Sequence, residues 1–179
     1  MYLHDNCDRI NILGGVFLEE IYKRRSIRKY SDRFISDNDV NKILKAGMNA
    51  PTARNLKPYE FVVIRDKNIL LKLADMKKNA YFVGSCNVCI ALLGHELSDY
   101  WQQDLGAVSQ NMLLEATHLE IGSCWVGIAP NVEYENYVRG VLEIPENVRV
   151  FSLISLGYAL ENKDKNDNYD DSVVHYEKY

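Results

Sequence analysis

The densest concentration of potential chemistry in the chain is Arg24-Arg25-Ser26-Ile27-Arg28-Lys29-Tyr30, where three guanidinium groups and a hydroxyl fall within five residues. Arg presents planar, permanently charged forks of donors and Ser adds a neutral donor, a set suited to an organic phosphate. A solvated basic patch at a helix end would have the same composition, so the segment has to be judged by its company. No other reactive constellation competes with it. Cys86 and Cys89 form a C-x-x-C, but no second pair and no H-x-x-x-H follows. With Cys124 they lie in or beside apolar runs and read as reduced core thiols rather than a metal or dithiol site. His95-Glu96 is followed by Leu97-Ser98-Asp99, so there is no H-E-x-x-H. Nor is there a G-x-S-x-G elbow, a P-loop, or a G-x-G-x-x-G after a predicted strand. The acidic stretch from Asp164 begins like a calcium loop, but Tyr169 stands where the sharp turn needs Gly and His175 where a bidentate Glu is needed. No catalytic acid, base, nucleophile or metal-ligand set is therefore assigned.

The elements that must position the Arg cluster follow from periodicity. Phe17 to Arg25 is a short helix candidate whose last turn carries Lys23, Arg24 and Arg25, the charge sign a helix C-terminus prefers. Ser36 and Asp39 resemble a capping box, and Val40, Ile43, Leu44 and Gly47 keep helical spacing until Pro51 stops it. Phe61 to Ile64 and Val88 to Leu93 are short β-branched runs that predict buried strands, with a helix marked between them by Ile69, Leu70, Leu73 and Met76. From Asp99 to Leu119 the residues Trp101, Leu105, Val108, Met112, Ala116 and Leu119 recur at steps of three and four, predicting a central helix. Cys124-Trp125-Val126 is brief and flanked by Gly122 and Gly127; Val132 to Leu142 predicts a helix and Val148 to Leu156 a strand. Strands separated by helices around one long helix indicate an α+β (α/β sandwich) domain.

Residues 1–15 show no sustained period and read as a flexible leader, leaving 16–179 as a single domain. Residues 161–171 are polar, yet Val173, Val174, Tyr176 and Tyr179 follow and need burial, which a partner subunit would provide. At 179 residues and 47% hydrophobic content the chain can bury one substantial core. Its net charge of -4 offers no excess of positive charge for nucleic acid or an anionic membrane. No run approaches the roughly 20 apolar residues of a membrane helix, and the N-terminus lacks the basic-then-apolar order of a signal peptide, so a cytoplasmic protein is expected.

The Arg cluster has company elsewhere in the chain. Arg24 to Tyr30 resembles the R-R-S-[IV]-R-x-[FY] opening of the nitroreductase family, and Ala50-Pro51-Thr52-Ala53-Arg54-Asn55-Leu56-Lys57-Pro58-Tyr59 is similar to that family's A-P-[ST]-x-x-N-x-Q-P-W. Tyr100 to Ala107, Gln110 to Leu114 and Ile121 to Gly127 resemble its central helix and the strand after it. Leu142 to Pro145, Ser155 to Tyr158 and the ending Val174 to Tyr179 continue the likeness, which spans about residues 16–179. Departures are Lys57 for Gln, Tyr59 for Trp and Ala159 for Pro, and Asn168 stands where the C-terminal arm of the family carries a basic residue.

The resemblance implies a mixed, mainly antiparallel sheet flanked by helices, and a homodimer with one FMN in each of two clefts built from both subunits. By position, Arg24, Arg25 and Ser26 would hold phosphate and ribityl chain, and Arg28 would reach the pyrimidine end of the flavin. Pro51, Thr52, Ala53 and Asn55 would come from the other subunit. Val126 and Gly127 would offer backbone to the ring, and Lys165 or Asn168, or Lys163, would complete the phosphate site from the arm. The implied activity is transfer of electrons from NAD(P)H to small electron-poor acceptors, nitroaromatics or quinones, by a ping-pong cycle. A specialised member, reducing by dehalogenation or fragmenting flavin, and a flavin-storage module are the alternatives. Because the cofactor carries the redox chemistry, the absence of acid, base or Rossmann motifs is accounted for.

Overall fold

The computed structural model describes residues 18–179. The proposed leader, the start of the first helix and Cys7 lie outside the described residues.

The helices start and stop where local chemistry dictates. Helix α1 (Glu19–Lys23) is a single short turn with acids first and Lys23 last. It ends before the sequence pattern predicted, because Arg24 is already extended at φ -60 and ψ 120. Helix α2 (Asp37–Met48) is capped by Ser36, whose Oγ accepts from the Asp39 amide at 3.1 Å and donates to Asp39 Oδ2 at 2.8 Å, as the capping box predicts. Strand β1 (Tyr59–Ile64), helix α3 (Lys67–Ala74) and strand β2 (Val88–Gly94) follow, with a 3-10 segment over Lys78–Ser85 that periodicity did not signal. The long helix α4 (Trp101–His118) leads into strand β3 (Gly122–Gly127), then helix α5 (Val132–Leu142) and strand β4 (Arg149–Gly157).

The four strands form one antiparallel sheet in the order β1-β2-β4-β3. Side chains on successive residues of a strand point to opposite faces, and strand β2 uses both. Val88, Ile90 and Leu92 pack with α2 and α4 against Ile43, Leu105, Val108 and Met112. Cys89, Ala91 and Leu93 pack on the opposite face with Leu70, Leu73, Phe82 and Val138. A strand buried on both faces must read as a continuous apolar run, which is why it was legible. β1 differs: predicted as buried, it is an edge strand with Glu60 and Val63 exposed. Cys86, Cys89 and Cys124 are free and buried, as core thiols should be. Among the described residues no helix is long and apolar enough to cross a membrane.

Two features tie the ends of the sheet. Glu135 of α5, almost wholly buried, accepts from Arg149 Nε at 2.8 Å, Arg149 Nη2 at 2.9 Å, Arg139 Nη2 at 3.1 Å and the Val150 amide at 3.0 Å. Burial pushes its carboxyl up, but the Arg149 and backbone hydrogen bonds outweigh that and hold it below its usual range. At the other end, residues 24–30 run beside β3. Ser26 bridges Ser123 in parallel, the Ile27 amide donates to the Ser123 carbonyl at 2.9 Å, and Tyr30 bridges Ala159. The Tyr30 ring lies against Gly157, and its hydroxyl donates to the Ile27 carbonyl at 2.5 Å with Ser155 Oγ at 2.8 Å.

A Cβ at Gly157 would stand 2.6 Å from two Tyr30 ring atoms, closer than real contacts allow. Gly157→Ala should therefore destabilise the protein by about 1–3 kcal/mol, the usual cost of overpacking. Urea denaturation followed by circular dichroism checks this; an unchanged midpoint would mean that Tyr30 is not held under the sheet end.

Candidate functional site

Because residues 24–28 are extended, their side chains alternate, and the Arg cluster is divided between two sides. Arg28 lines a cleft of 350 Å³ together with Lys77, Asn79, Phe82, Cys124 and Gly127. By that alternation Arg24 and Ser26 share the Arg28 side of the segment, though neither lines the cleft. Burial pushes the Cys124 thiol up, against the pull of the nearby Arg28 charge. Arg25 faces the other way. It lines a separate 180 Å³ recess with Ile27 and Ser123, and its Nη1 donates to the Asp164 carbonyl. Among the described residues, no side-chain hydrogen bond or ion pair engages the Arg24 or Arg28 guanidinium. Arg28 stacks over the Phe82 ring at 5.6 Å, a placement that keeps its fork facing the cleft.

The far wall of the cleft is the end of β3. Gly127 is exposed, and a Cβ built on it would meet nothing within 4 Å, so backbone there is open to close approach by a flat group. Lys77 donates to the Gly127 carbonyl at 2.6 Å while its ammonium lies 5.0 Å from the Tyr134 ring centre, and burial lowers its pKa from the ordinary value. Val126 lines the same wall.

The 159–166 segment returns along residues 22–29. Lys163 Nζ donates to the Ser26 carbonyl at 2.5 Å and the Leu160 amide to the Lys29 carbonyl at 2.9 Å. Glu161 accepts from the Arg28 amide at 2.6 Å, which holds its carboxyl below the usual range. The Asn166 amide donates to the Tyr22 carbonyl at 3.0 Å.

Of the residues singled out in the sequence, Arg28, Val126 and Gly127 line this cleft, while Arg24 and Ser26 share the Arg28 side of the extended segment without lining it. Pro51, Thr52, Ala53 and Asn55 do not line it; they form a separate loop between α2 and β1, in which Ala53 donates its amide to Asp104 at 2.9 Å. Lys165 sits 4.0 Å from Glu19 and Asn168 is exposed in the arm, neither in the cleft lining. Sequence reasoning missed Lys77, Asn79, Phe82 and Cys124 as lining residues. The polar triplet Lys77-Lys78-Asn79 interrupting an apolar stretch was the only available signal.

The family model described as Nitroreductase family matches residues 21–85 and 74–158. A protein of Archaeoglobus fulgidus, provisionally named NADH dehydrogenase/NAD(P)H nitroreductase, is 42% identical over 170 residues, covering 90% of this chain and 98% of the relative. The chain belongs to the nitroreductase family. Two solved family structures share its fold. The FMN-dependent nitroreductase of Clostridium difficile superposes with a TM-score of 0.86 at 29% identity, covering 91% of this chain and 100% of that one. A Desulfovibrio desulfuricans protein, provisionally named a nitroreductase and solved in complex with FMN, gives 0.77 at 30% identity, covering 90% and 96%.

Within this family member Arg25 ties down the returning segment through the Asp164 carbonyl. Arg25→Ala should speed amide hydrogen exchange across residues 160–166 while leaving the strands unaffected. Equal protection in parent and variant would show that Lys163 and Glu161 hold the segment without it.

Proposed function

We propose that this chain is an FMN-dependent oxidoreductase that takes electrons from NAD(P)H and passes them to small electron-poor acceptors such as nitroaromatics or quinones. The observation that carries this reading is the cleft that Arg28 lines opposite the exposed Gly127, where a Cβ would meet nothing, with Arg24 and Ser26 on the same side of the Arg28 segment. Two guanidinium groups with no hydrogen-bond or ion-pair partner among the described residues, and a hydroxyl, fit a phosphate monoester. A flat ring fits against a glycine edge where no side chain intrudes. Relatives named as NAD(P)H oxidoreductases and a neighbour solved with FMN support the same assignment.

In this reading Arg24 and Ser26 hold the phosphate and ribityl end, assisted from the arm by Lys163, which already reaches Ser26. Arg28 serves the pyrimidine end, and the backbone of Val126 and Gly127 borders the ring. Lys77, tied to the Gly127 carbonyl, keeps that edge in place. FMN, when bound, supplies the two-electron chemistry. What the chain contributes is binding, orientation and a fixed positive charge that favours the reduced, anionic form of the ring. Donor and acceptor alternate at the open face, a ping-pong order that requires no second nucleotide-binding unit.

The site is completed by a second copy. The loop 51–55 does not line the cleft of its own chain, and Leu18, Ile21 and Tyr22 of the first turn, with Val173, Val174, Tyr176 and Tyr179 of the arm, are large apolar groups exposed among the described residues. Exposed apolar groups in such numbers fit an interface. Residues 16–179 form one domain in this proposal, and the C-terminal arm (161–179) reaches the partner.

Purified protein should be yellow, release FMN on denaturation, oxidise NAD(P)H steadily when an acceptor is added, and scatter light as a dimer. Bound FMN without NAD(P)H turnover would favour a storage role; unquenched, filterable flavin at micromolar protein, or a stable monomer of 20.6 kDa, would defeat the assignment.

Arg28 gives a second test. A charge-assisted hydrogen bond contributes about 1.5–3 kcal/mol, equivalent to roughly 30–65 mV for a two-electron couple. Arg28→Ala should lower the flavin potential by about that amount and slow reduction by NAD(P)H more than it weakens FMN binding, whereas Arg24→Ala should lose cofactor with little change in potential. A potential within about 10 mV of the parent after Arg28→Ala would place that residue outside the ring's reach.

A further inference from the structure

Asp104 sits in the first turn of α4 and is 6% exposed, a location where an ionised carboxylate loses most of its hydration. The start of the helix offsets part of its charge. Its Oδ1 accepts from the Ala53 amide at 2.9 Å, and its Oδ2 is buried with no donor among the described residues. Among the described residues, the Ala53 amide is therefore its one hydrogen-bond donor.

Ala53 opens the densest run of left-handed backbone among the described residues. Arg54, Asn55 and Lys57 have φ values of 52, 55 and 51, so three non-glycine residues within four positions occupy the left-handed region. Each is disfavoured by contact between its Cβ and the backbone, and such a conformation persists only where surrounding structure imposes it. Inside the loop Thr52 Oγ1 accepts from the Lys57 amide at 3.1 Å. Asp104, from α4, supplies the side-chain anchor to the loop backbone from another element.

We propose that Asp104 is a positioning residue: its buried carboxylate fixes the 52–57 loop in its left-handed conformation and thereby sets the affinity of the cofactor site that this loop completes on a second copy of the chain. The inference rests on the reading given under Proposed function. It separates the loop's shape, which Asp104 determines, from the groups that touch the ligand.

The test is an FMN titration by flavin fluorescence, with circular dichroism and light scattering recorded on each protein. Asp104→Ala should stay folded and dimeric and bind FMN roughly tenfold more weakly or worse, a change of about 1.4 kcal/mol. Asp104→Asn keeps a carbonyl oxygen for the Ala53 amide and should recover affinity to within about threefold of the parent. Arg54→Gly, which relieves the left-handed backbone, should recover part of the loss when added to Asp104→Ala. If Asp104→Ala does not fold, Ala53→Pro deletes the donor instead. Ala53 is the first residue of a 3-10 turn, and Thr52, at φ -133 and ψ 148, already has the extended geometry that a following proline requires. Ala53→Pro should weaken FMN binding to the same extent. Affinity within about twofold of the parent for Asp104→Ala or Ala53→Pro, or a loss that neither Asn nor Arg54→Gly repairs, overturns the inference. Parent protein that fails to quench FMN would instead remove the reading beneath it.

Discussion

The pairing of residues 24–30 with β3 is the constraint on which the rest of the site depends. A single backbone bond from Ile27 to Ser123, the Ser26–Ser123 bridge and the Tyr30 ring under Gly157 hold this segment extended. Extension forces alternation. Ile27 goes into the core, Arg25 goes to the outer recess, and Arg24, Ser26 and Arg28 are left together on the cleft side. Had the first helix continued through Arg25, its 3.6-residue period would have fanned the same side chains around an axis.

The return of residues 159–166 then decides which cations stay available. Arg25 is engaged by the Asp164 carbonyl, and Lys163 reaches back to Ser26. Glu161 takes the backbone amide of Arg28 but not its guanidinium. Among the described residues, Arg24 and Arg28 keep their donors. One short sequence thus supplies both the fastening of the arm and a local excess of positive charge beside the cleft, which a net charge of -4 for the whole chain conceals.

The scaffold behind the cleft is stiff because β2 is buried on both faces and β4, its neighbour, is buried along most of its length. Strain is concentrated elsewhere, in the loop after α2, where three left-handed residues are held by polar tethers rather than by packing. Packed interiors resist deformation, whereas a loop held by a few hydrogen bonds is set by those bonds. Shape at the rim of the site is therefore controlled by individual polar residues.

The sequence alone determined the elements whose burial has a period: the capped helix from Ser36, the long α4, α5 at Val132–Leu142 and the apolar run of β2. It also carried the phosphate-like cluster and, by resemblance, the family. It misplaced the end of α1 and the exposure of β1, did not foresee the contact of Arg25 with Asp164, and left Lys77 and Cys124 unassigned to the cleft. Each of these depends on a contact between residues far apart in the chain, such as Arg25 with Asp164, Lys77 with Gly127 and Ala53 with Asp104. Periodicity records which side of an element avoids water, since that is a local property of hydrophobic burial. Which donor meets which acceptor is fixed only when the sheet brings distant segments side by side, and that choice was made by the tertiary structure.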